Sequence, residues 1–284
     1  MKQKKLDITE SSTVRQACEF YFHTPAYLKI SGRSQKDYYN TMIKACNTPV
    51  QNNKLFGGIK LKDVRFKHAT HLYDTWISKI GVRQANYHRT CMSIVFNTAI
   101  RHEAMVSNPM SIIRGIPDKP RSVKWNESQV KQFLDTAFSE YRWKAIGLIA
   151  YMAYEWGQRP VDIRNLTWDS IDFTKKVVTI TQTKRGATVE LPIDDRLMEM
   201  LEQQDTDWGW QKYVVPCQRA SDNAYRPLSV DQMNTLVGEV KQVCGLPSDL
   251  RVGDLRKTAI VEMIKGGAEA MQVMSVTGHK NISS

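Results

Sequence analysis

A short stretch near the middle of the sequence divides the chain into two parts. It runs from Arg114 to Lys124 and reads RGIPDKPRSVK, in which two prolines and a glycine are interleaved with basic side chains. Proline fixes its own backbone and disfavours helix in the residue before it, so such a stretch is typical of a stiff connector between folded parts. We therefore predict two domains, residues 1–115 and 124–284, joined by a basic linker at 116–123.

Charge is distributed unevenly across this division. Residues 1–118 carry 18 Lys and Arg against 8 Asp and Glu, a net charge of +10. Residues 119–284 carry 22 against 21, a net charge of +1. A strongly basic front part favours a polyanionic partner, and nucleic acid is the leading candidate. Solubility alone would not explain the asymmetry.

Composition argues against several other classes of protein. The chain has 284 residues, of which 42% are hydrophobic and 24% charged, as in an ordinary globular protein. We expect no signal peptide, since the start MKQKKLD leads into no apolar run. The most apolar segment, 145–156, is too short to span a bilayer and is predicted to be a buried helix. We therefore expect a cytoplasmic protein with no membrane partner.

The spacing of cysteine and histidine indicates neither a disulfide framework nor a metal site. The five cysteines, at positions 18, 46, 91, 217 and 244, are odd in number and far apart, which fits a reducing compartment. His68 and His71 are three residues apart, but no acidic or thiol ligand is spaced to complete a zinc site. We expect no metal and no cofactor.

Residues 1–115 are predicted to be helical throughout. Helices are expected from Thr9 or Ser11 to Thr24, from Ser34 to Asn47, from Asp63 to Gly81 and from about Val82 to Met105. Several polar side chains early in the last helix lie off its apolar stripe and could enter a DNA groove or contact phosphates, although a solvated face explains each one nearly as well. They are Arg83, Gln84, Asn86, His88 and Arg89, and we predict DNA contacts for Arg83, His88 and Arg89.

Residues 124–284 alternate helical and strand patterns. Helices are predicted at about 127–140, 143–156, 194–204, 229–244, 255–265 and 269–276, and residues 177–193 as a hairpin that turns at Lys184-Arg185-Gly186. Asn126 with Gln129, and Ser229 with Gln232, have the spacing of N-terminal capping boxes.

Three placements in this second part are not explained by local helix energetics. Arg159 lies between Gly157, which ends one helix, and Pro160, which suits the first turn of the next. Arg256 is predicted in the first turn of a helix capped by Asp254, where a guanidinium gains nothing from the helix dipole. His279 follows a glycine that ends the last helix. An external anion would explain these placements, but a solvated arginine and an ordinary loop histidine explain them about as well. For a lysine at the hairpin turn, taken alone, solvation is the favoured explanation.

In order along the chain, Gly-x-Arg after an apolar helix, a lysine at a hairpin turn, D-L-R-K-T-A and then T-G-H resemble the tyrosine recombinase, or phage integrase, family. The resemblance covers essentially the whole chain. It implies an all-α, SAM-like core-binding domain at 1–115 and a mixed α/β catalytic domain at 124–284, mainly helical with a small antiparallel sheet. It also implies a site-specific recombinase that cuts and rejoins DNA through a 3′-phosphotyrosyl intermediate.

The resemblance assigns roles to particular residues. Arg159 and Arg256 match the two arginines that clamp the scissile phosphate, and Lys184 matches the general acid for the leaving 5′ oxygen. His279 matches the histidine that assists at the phosphate, and Asp162 falls where relatives often have an acid that braces the first arginine. Further basic residues of the linker, the hairpin and the Arg256 helix are predicted DNA contacts: Lys119, Arg121, Arg185 and Lys257.

Two positions depart from the family pattern. Gly253 lies three residues before Arg256, where the family usually has histidine or lysine, and Arg251 is a neighbour that could take its place. The nucleophilic tyrosine is expected within about three helical turns after His279, and the sequence reaches Ser284 without one. Tyrosines elsewhere do not fit the family position: examples are Tyr151, Tyr154, Tyr213 and Tyr225. We therefore expect a C-terminally truncated chain that is inactive in cleavage.

Three functions are open at this point. An integrase-type recombinase, of a phage or mobile element, would bind a double-stranded core site and assemble on it as a tetramer, with a directionality factor left open as a further partner. A DNA-binding regulator without catalysis would occupy recombination sites; Gly253 and the missing tyrosine favour it, whereas both arginines, Lys184 and His279 disfavour it. A type IB topoisomerase would share the pocket, but the modest size and two-domain layout argue against it.

Overall fold

The computed structural model of the chain describes residues 7–50, 54–118, 121–184, 186–218 and 224–278. The chain divides into two compact units, residues 1–120 and 121–284, and each has its own hydrophobic core. The division falls within the stretch of prolines and basic residues at 114–124. Among the described residues, no helix combines the length and the apolar character that crossing a membrane requires.

The first unit is helical over its described residues. Its elements are α1 (Val14–Phe22), α2 (Pro25–Leu28), α3 (Gly32–Cys46) and α4 (Phe66–Arg101), with 3-10 turns at Phe56–Gly58, Leu61–Asp63 and Pro109–Ile112. Helix α1 begins later than the predicted Thr9 or Ser11 because Thr13 and Gln16 form a reciprocal capping box, with backbone-to-side-chain distances of 3.2 and 2.8 Å.

Helix α4 consists of two helical segments that meet at a kink. Gly81 has φ 79° and ψ 163° in the middle of the range, a backbone conformation that residues with a Cβ rarely adopt. The predicted end of one helix at Gly81 and start of the next at Val82 are thereby confirmed. The second segment ends at Arg101, a turn before the predicted Met105, and its buried residues include Met92, Val95, Phe96 and Ala99.

The second unit contains seven helices and five short strands among its described residues. The helices are α5 (Glu127–Ser139), α6 (Tyr141–Glu155), α7 (Pro160–Ile163), α8 (Asp195–Trp208), α9 (Val230–Val243), α10 (Val252–Lys265) and α11 (Ala270–Thr277), with a 3-10 turn at Trp168–Ser170. The strands are β1 (Ile171–Asp172), β2 (Val177–Thr181), β3 (Thr188–Pro192), β4 (Pro216–Gln218) and β5 (Tyr225–Pro227). Sheet order is β1-β2-β3 and β4-β5, antiparallel throughout.

The predicted hairpin is confirmed, with Val178 opposite Leu191 and Ile180 opposite Val189. Strands β1, β4 and β5 were not predicted; they are only two or three residues long. Strands this short carry too few alternating positions for a period of two to be recognised.

Helix α6 lies at the centre of the second unit. It is buried along most of its length, as predicted for the apolar segment 145–156, and packs against α5, α9 and α10. The capping boxes predicted at Asn126 and Ser229 are both present and start α5 and α9. Just before α5, Trp125 is buried edge-on against Phe133 at 5.2 Å and anchors the start of this unit.

Helix α10 corrects the expected position of Arg256. It begins at Val252 and not at about Leu255, because the Asp254 carboxylate accepts a hydrogen bond from the backbone N–H of Arg251 at 3.0 Å and so occupies the third helical position. Arg256 therefore lies in the second turn and not in the first. The buried face runs through Val252, Leu255, Arg256 and Ala259, and Ile264 near the end of the helix is exposed.

Candidate active site

Arg159 lies where one helix ends and another begins. Helix α6 stops at Glu155, Gly157 takes a left-handed backbone with φ 57°, and Arg159 is the residue directly before Pro160 in α7. Its side chain is 21% exposed. The guanidinium Nη1 donates to Gln182 Oε1 at 3.2 Å and lies 3.7 Å from Asp162 Oδ2. The local prediction of a helix end at Gly157 is confirmed, and it leaves Arg159 half-buried at the junction.

Arg256 reaches the same place from α10. It is only 8% exposed. Its Nη2 donates to the Thr277 carbonyl oxygen at 2.7 Å, and its Nη1 lies 3.5 Å from Gln158 Oε1. Thr277 is the last residue of α11, so this bond fixes the end of α11 against the second turn of α10.

Two buried glutamines connect the arginines. Gln158 and Gln182 are both 0% exposed, and Gln182 Nε2 donates to Gln158 Oε1 at 2.8 Å. Gln182 also donates to the Thr277 carbonyl at 2.8 Å, while Gln158 Nε2 donates to the carbonyls of Trp156 at 3.1 Å and Val276 at 2.6 Å. Arg159 and Arg256, which are far apart in sequence, therefore contact the two members of one amide pair.

This glutamine pair was not predicted, although the sequence contains a signal for one of its two members. On β2, Val178 and Ile180 are buried and Thr179 and Thr181 are exposed. The same period of two, continued past the strand end, places Gln182 on the buried face. A glutamine at a predicted core position needs hydrogen-bond partners, which marks it as a candidate. Nothing comparable marks Gln158 before the tertiary structure is known.

Asp162 fastens the hairpin to α7. Its Oδ1 accepts hydrogen bonds from the backbone N–H of Thr183 at 2.9 Å and from the Thr183 hydroxyl at 2.6 Å. Its Oδ2 is buried without a hydrogen bond among the described residues and faces Arg159 across the 3.7 Å gap. The carboxylate therefore holds Thr183 by direct hydrogen bonds, and its interaction with Arg159 is at longer range.

Lys184 follows immediately in the turn of the hairpin and is exposed. The turn closes with hydrogen bonds from the Gln182 N–H to the Ala187 carbonyl and from the Gly186 N–H to the Gln182 carbonyl, both at 2.8 Å. Lys184 thus lies next to the residue that Asp162 holds, and its side chain is exposed.

The charged groups at the centre of the site are the guanidiniums of Arg159 and Arg256, which are half-buried and buried. Both guanidiniums contact oxygens of neutral amide or carbonyl groups, which hold a cation in position without cancelling its charge, and Arg159 in addition faces the Asp162 carboxylate at 3.7 Å. An anion with several oxygens is the ligand that paired guanidiniums bind best, because each guanidinium can donate two parallel hydrogen bonds. No group of three His, Cys, Asp or Glu side chains among the described residues could hold a metal ion.

Other predicted site residues of the second unit lie around α10. Gly253 is exposed, and a Cβ on it would meet no atom within 4 Å. Arg251 precedes α10 and is exposed. Arg121 makes an ion pair with Asp254 at 2.8 Å, which raises the pKa of Arg121, and Lys257 lies exposed with its ammonium 3.4 Å from the Arg121 carbonyl. Arg121 is thus already bound to an acid.

In the first unit, two of the predicted DNA contacts, His88 and Arg89, make contacts within the protein. His88 was expected off the apolar stripe but is 5% exposed, lies beside Trp76 with 5.3 Å between ring centroids, and hydrogen-bonds the Gln84 carbonyl through Nδ1. Arg89 donates to the Ile113 carbonyl at 2.7 Å, because the segment after α4 folds back along this face. Arg83 is exposed, as expected.

Tyrosines of the second unit make contacts of other kinds. The Tyr154 hydroxyl donates to the Glu262 carboxylate, and burial together with that carboxylate raises the pKa of Tyr154. Burial also raises the pKa of Tyr151, whose ring faces Arg196 at 5.4 Å. The Tyr225 ring packs against Trp208 and Trp210, at 5.7 and 4.9 Å, and the Tyr213 ring faces Lys212 at 5.9 Å.

Three further predicted residues, Lys119, Arg185 and His279, lie outside the described residues.

Comparison with known families gives one match over the second unit. The model of the phage integrase family matches residues 125–284, which is more than half of the chain and includes Arg159, Lys184 and Arg256.

Two curated relatives match along most of the chain at low identity. A Haemophilus influenzae protein described as an integrase or recombinase is 18% identical over 270 residues, which are 90% of this chain and 68% of the relative. The shufflon-specific DNA recombinase of Escherichia coli is 20% identical over 276 residues, covering 95% of this chain and 67% of the relative.

Solved structures of lambda integrase share the fold. A lambda integrase dimer bound to a COC′ core site has a TM-score of 0.79 and 19% identity, covering 96% of this chain and 75% of that one. A lambda integrase tetramer bound to a Holliday junction has a TM-score of 0.79 and 18% identity, covering 97% and 80%. At this level of identity the likeness shows a common fold.

Proposed function

The chain belongs to the phage integrase family of tyrosine recombinases, and on that premise we propose that it is a site-specific DNA recombinase that cuts and rejoins DNA through a 3′-phosphotyrosyl intermediate. The observation that carries the proposal is the approach of Arg159 and Arg256 to the two members of the Gln158–Gln182 amide pair. Two guanidiniums held together in this way suit one phosphodiester.

The arginines act on the charge of the reacting phosphate. Attack on phosphorus builds negative charge on the non-bridging oxygens, and donors positioned in advance stabilise that charge more in the transition state than in the ground state. We assign this role to Arg159 and Arg256. Asp162 braces the assembly through Thr183 and through its longer contact with Arg159.

Lys184 supplies the proton that the leaving group needs. A tyrosine hydroxyl gives up its proton to the group that assists the nucleophile, and its oxygen attacks phosphorus. The bond from phosphorus to the 5′ oxygen breaks, and the Lys184 ammonium transfers a proton to that oxygen, which leaves as a 5′ hydroxyl. The phosphate stays on the tyrosine as a 3′-phosphotyrosyl ester, so attack by another 5′ hydroxyl can reverse the step and rejoin the strand without ATP. His279 is assigned to donate to the phosphate or assist the nucleophile.

We further propose that the nucleophilic tyrosine is not one of those described above. Tyr154 is hydrogen-bonded to a carboxylate and has a raised pKa, which opposes formation of the phenolate. Tyr151, Tyr213 and Tyr225 pack against other side chains.

The first unit is proposed as an all-α, SAM-like core-binding domain that grips double-stranded DNA beside the cleavage point. Its excess of basic residues supports this role. We propose that copies assemble on a core site as a tetramer, by analogy with the DNA-bound dimer and tetramer of lambda integrase. The protein would then work on DNA in the cytoplasm of its host, with a directionality factor as an additional partner.

Trapping of a covalent complex tests the proposal. A core site is first selected from random duplexes by binding. The protein encoded by the complete reading frame is then incubated with a nicked form of this site. Cleavage near the nick releases a short strand that diffuses away, so the cleaved strand cannot be rejoined. We expect a covalent protein–DNA adduct, and we expect Arg159→Ala to slow its formation by about 100-fold to 1000-fold, as for loss of one transition-state donor. Arg142→Ala, which removes an exposed arginine paired with Glu140, is the control and should leave the rate unchanged.

The other functions give different results in the same assay. If Arg159→Ala formed the adduct as fast as the unchanged protein, the arginine pair would not be the group that binds the scissile phosphate. Specific binding without any adduct would indicate a regulator that occupies recombination sites, which the contacts of the described tyrosines also allow. Relaxation of supercoiled plasmids that lack the selected site would indicate a topoisomerase.

A further inference from the structure

Two uncharged side chains, those of Gln158 and Gln182, contact the arginines that are proposed to hold the scissile phosphate. We propose that Gln158 and Gln182 are positioning residues, which set the orientation of both arginines and of the hairpin before DNA arrives. This inference rests on the proposed role of Arg159 and Arg256 at the scissile phosphate. It assigns to the amide pair the task of holding the two guanidiniums in register with each other.

The hydrogen bonds leave one orientation for the amide of Gln182. Its Nε2 donates to Gln158 Oε1 and to the Thr277 carbonyl, both at 2.8 Å. These two acceptors cannot face an amide oxygen, so Oε1 must point the other way, toward Arg159 Nη1 at 3.2 Å. One amide oxygen is thus presented to the first arginine.

The same reasoning orients Gln158. Its Nε2 donates to the Trp156 and Val276 carbonyls at 3.1 and 2.6 Å, and its Oε1 is therefore directed toward Gln182 Nε2 and Arg256 Nη1. Rotating either amide by half a turn would place NH2 groups against N–H donors and oxygens against carbonyls. The two amides therefore lock each other, and each offers its oxygen to a different arginine.

Burial makes this arrangement rigid. Both glutamines are fully buried, and a buried donor or acceptor without a partner is strongly unfavourable, so the network is stable when every bond is made. An arginine side chain free in solution samples many rotamers, and holding it in its bound geometry beforehand removes an entropic cost of binding. A shift of about 1 Å in a positioned group can lower a rate by about 100-fold.

The pair also joins the elements that carry the other proposed catalytic groups. Gln158 lies in the turn between α6 and α7, and Gln182 is two residues before Lys184. Gln158 donates to the Val276 carbonyl and Gln182 to the Thr277 carbonyl, and these two residues end α11. Movement of any of these segments would break a hydrogen bond of the pair, so the arginines and the hairpin lysine are kept in register.

Inorganic phosphate is the probe that tests positioning without requiring cleavage. In the protein from the complete reading frame, phosphate is titrated while the guanidinium N–H signals of Arg159 and Arg256 are followed by NMR. We expect Gln158→Met and Gln182→Met to weaken phosphate binding, and to slow adduct formation on nicked core-site DNA by about 10-fold to 100-fold. DNA affinity should change less than twofold, since most DNA contacts are made elsewhere.

Gln204→Met is the matched control. Gln204 is another buried glutamine of the same unit, 3% exposed, with its Nε2 donating to the Val214 carbonyl at 3.0 Å. The same substitution there removes a buried amide of the same size away from the arginines. If the two test variants lose only as much phosphate affinity and rate as Gln204→Met, the effect is general loss of packing and the positioning role is wrong.

Gln182→Glu adds a readout that a purely structural role would not move. The carboxylate keeps an acceptor for Arg159 but cannot donate to Gln158 or Thr277, and its charge opposes a bound phosphate. Protonation restores one donor and removes the charge, so the rate of this variant relative to the unchanged protein should rise as pH falls. A pH profile parallel to that of the unchanged protein would contradict the proposal.

Phosphate binding by the two arginines and their positioning by the two glutamines give different results in this titration. If phosphate shifts neither arginine signal in the unchanged protein, the arginines are not a phosphate clamp, and the function and the positioning role both fall. If phosphate shifts them equally in the unchanged protein, Gln158→Met and Gln182→Met, the clamp stands and the positioning role falls.

Discussion

Gly278 approaches the side chain of Gln182 so closely that a Cβ on residue 278 would lie 2.7 Å from Gln182 Nε2 and 2.8 Å from Oε1. Gly278 also has φ 66°, in the left-handed region, and ends α11. A helix-terminating glycine is ordinary in itself. Here the absence of a side chain serves two purposes, since it ends the helix and leaves room for the amide that contacts Arg159.

Gly278→Ala is therefore expected to have a larger effect than backbone strain alone would cause, because the new Cβ also meets the Gln182 amide. A left-handed alanine costs roughly 1–2 kcal/mol, and the displaced Gln182 amide adds to this and slows adduct formation. Gly267→Ala is the control, because Gly267 has φ 91° but a Cβ there would meet nothing within 4 Å. Urea unfolding and single-turnover cleavage measure both variants. Equal effects of the two substitutions would show that the contact with Gln182 is unimportant.

Asp162 is expected to control the hairpin turn. Asp162→Ala leaves the Thr183 N–H without its acceptor, and loss of such a partner at a buried carboxylate typically lowers the free energy of unfolding by about 1–3 kcal/mol. Hydrogen exchange at the Thr183 amide should become faster. Asp172→Ala provides the comparison, because Asp172 makes a similar bond to the Lys175 N–H at an exposed turn and should lose much less. Unchanged exchange at Thr183 in Asp162→Ala would refute the prediction.

Acid is expected to destabilise the first unit through His88. Burial lowers the pKa of His88 from the usual 6.5, so the unfolded chain takes up a proton more readily than the folded one. The stability that neutral His88 contributes is fully present above pH 6.5 and is lost as pH falls from there through the lower folded-state pKa. Thermal unfolding as a function of pH should therefore show a smaller acid-side loss in His88→Asn than in the unchanged protein. His71→Asn, at an exposed position of α4, should keep the original profile.

Salt dependence of DNA binding should distinguish Arg83 from Arg121. Arg83 is exposed, and if it contacts a phosphate, Arg83→Ala lowers the slope of log affinity against log salt by about 0.9. Arg121 is already paired with Asp254 at 2.8 Å, so Arg121→Ala should change the slope far less. Titration of core-site DNA at several salt concentrations measures both slopes. A drop of equal size in the two variants would mean that DNA displaces Asp254 from Arg121.

Gly253 should accept a side chain. It lies in the first turn of α10 with no atom within 4 Å of a built Cβ, so Gly253→Ala should raise the free energy of unfolding by roughly 0.5–1 kcal/mol through its effect on helix propensity. Gly238→Ala, in α9 with equally open surroundings, should give a similar gain. A loss of stability confined to Gly253→Ala would mean that this position is occupied by something else, such as a segment of a second copy.

Much of the fold could be predicted because its signals are local. The capping residues Asn126 and Ser229 lie within one turn of the helices that they begin, the alternation of the hairpin is contained in Val177–Pro192, and Gly81 and Gly157 mark breaks by their own backbone preference. Arg159 was marked as unusual by its position between a helix-ending glycine and a proline, whereas the first-turn position that marked Arg256 was wrong. These features depend on interactions between residues that are neighbours in sequence.

The parts that could not be predicted depend on contacts between residues far apart in sequence. His88 and Arg89 occupy the polar side of a predicted helix, yet His88 lies beside Trp76 and Arg89 binds the Ile113 carbonyl. The amide pair is the clearest case, because Gln182 must meet Gln158 and Thr277, which are 24 and 95 residues away in the chain. Neighbouring residues decide where helices and turns begin and end. Only the packing of α6, α10, α11 and the hairpin decides which polar groups are buried together and must satisfy one another.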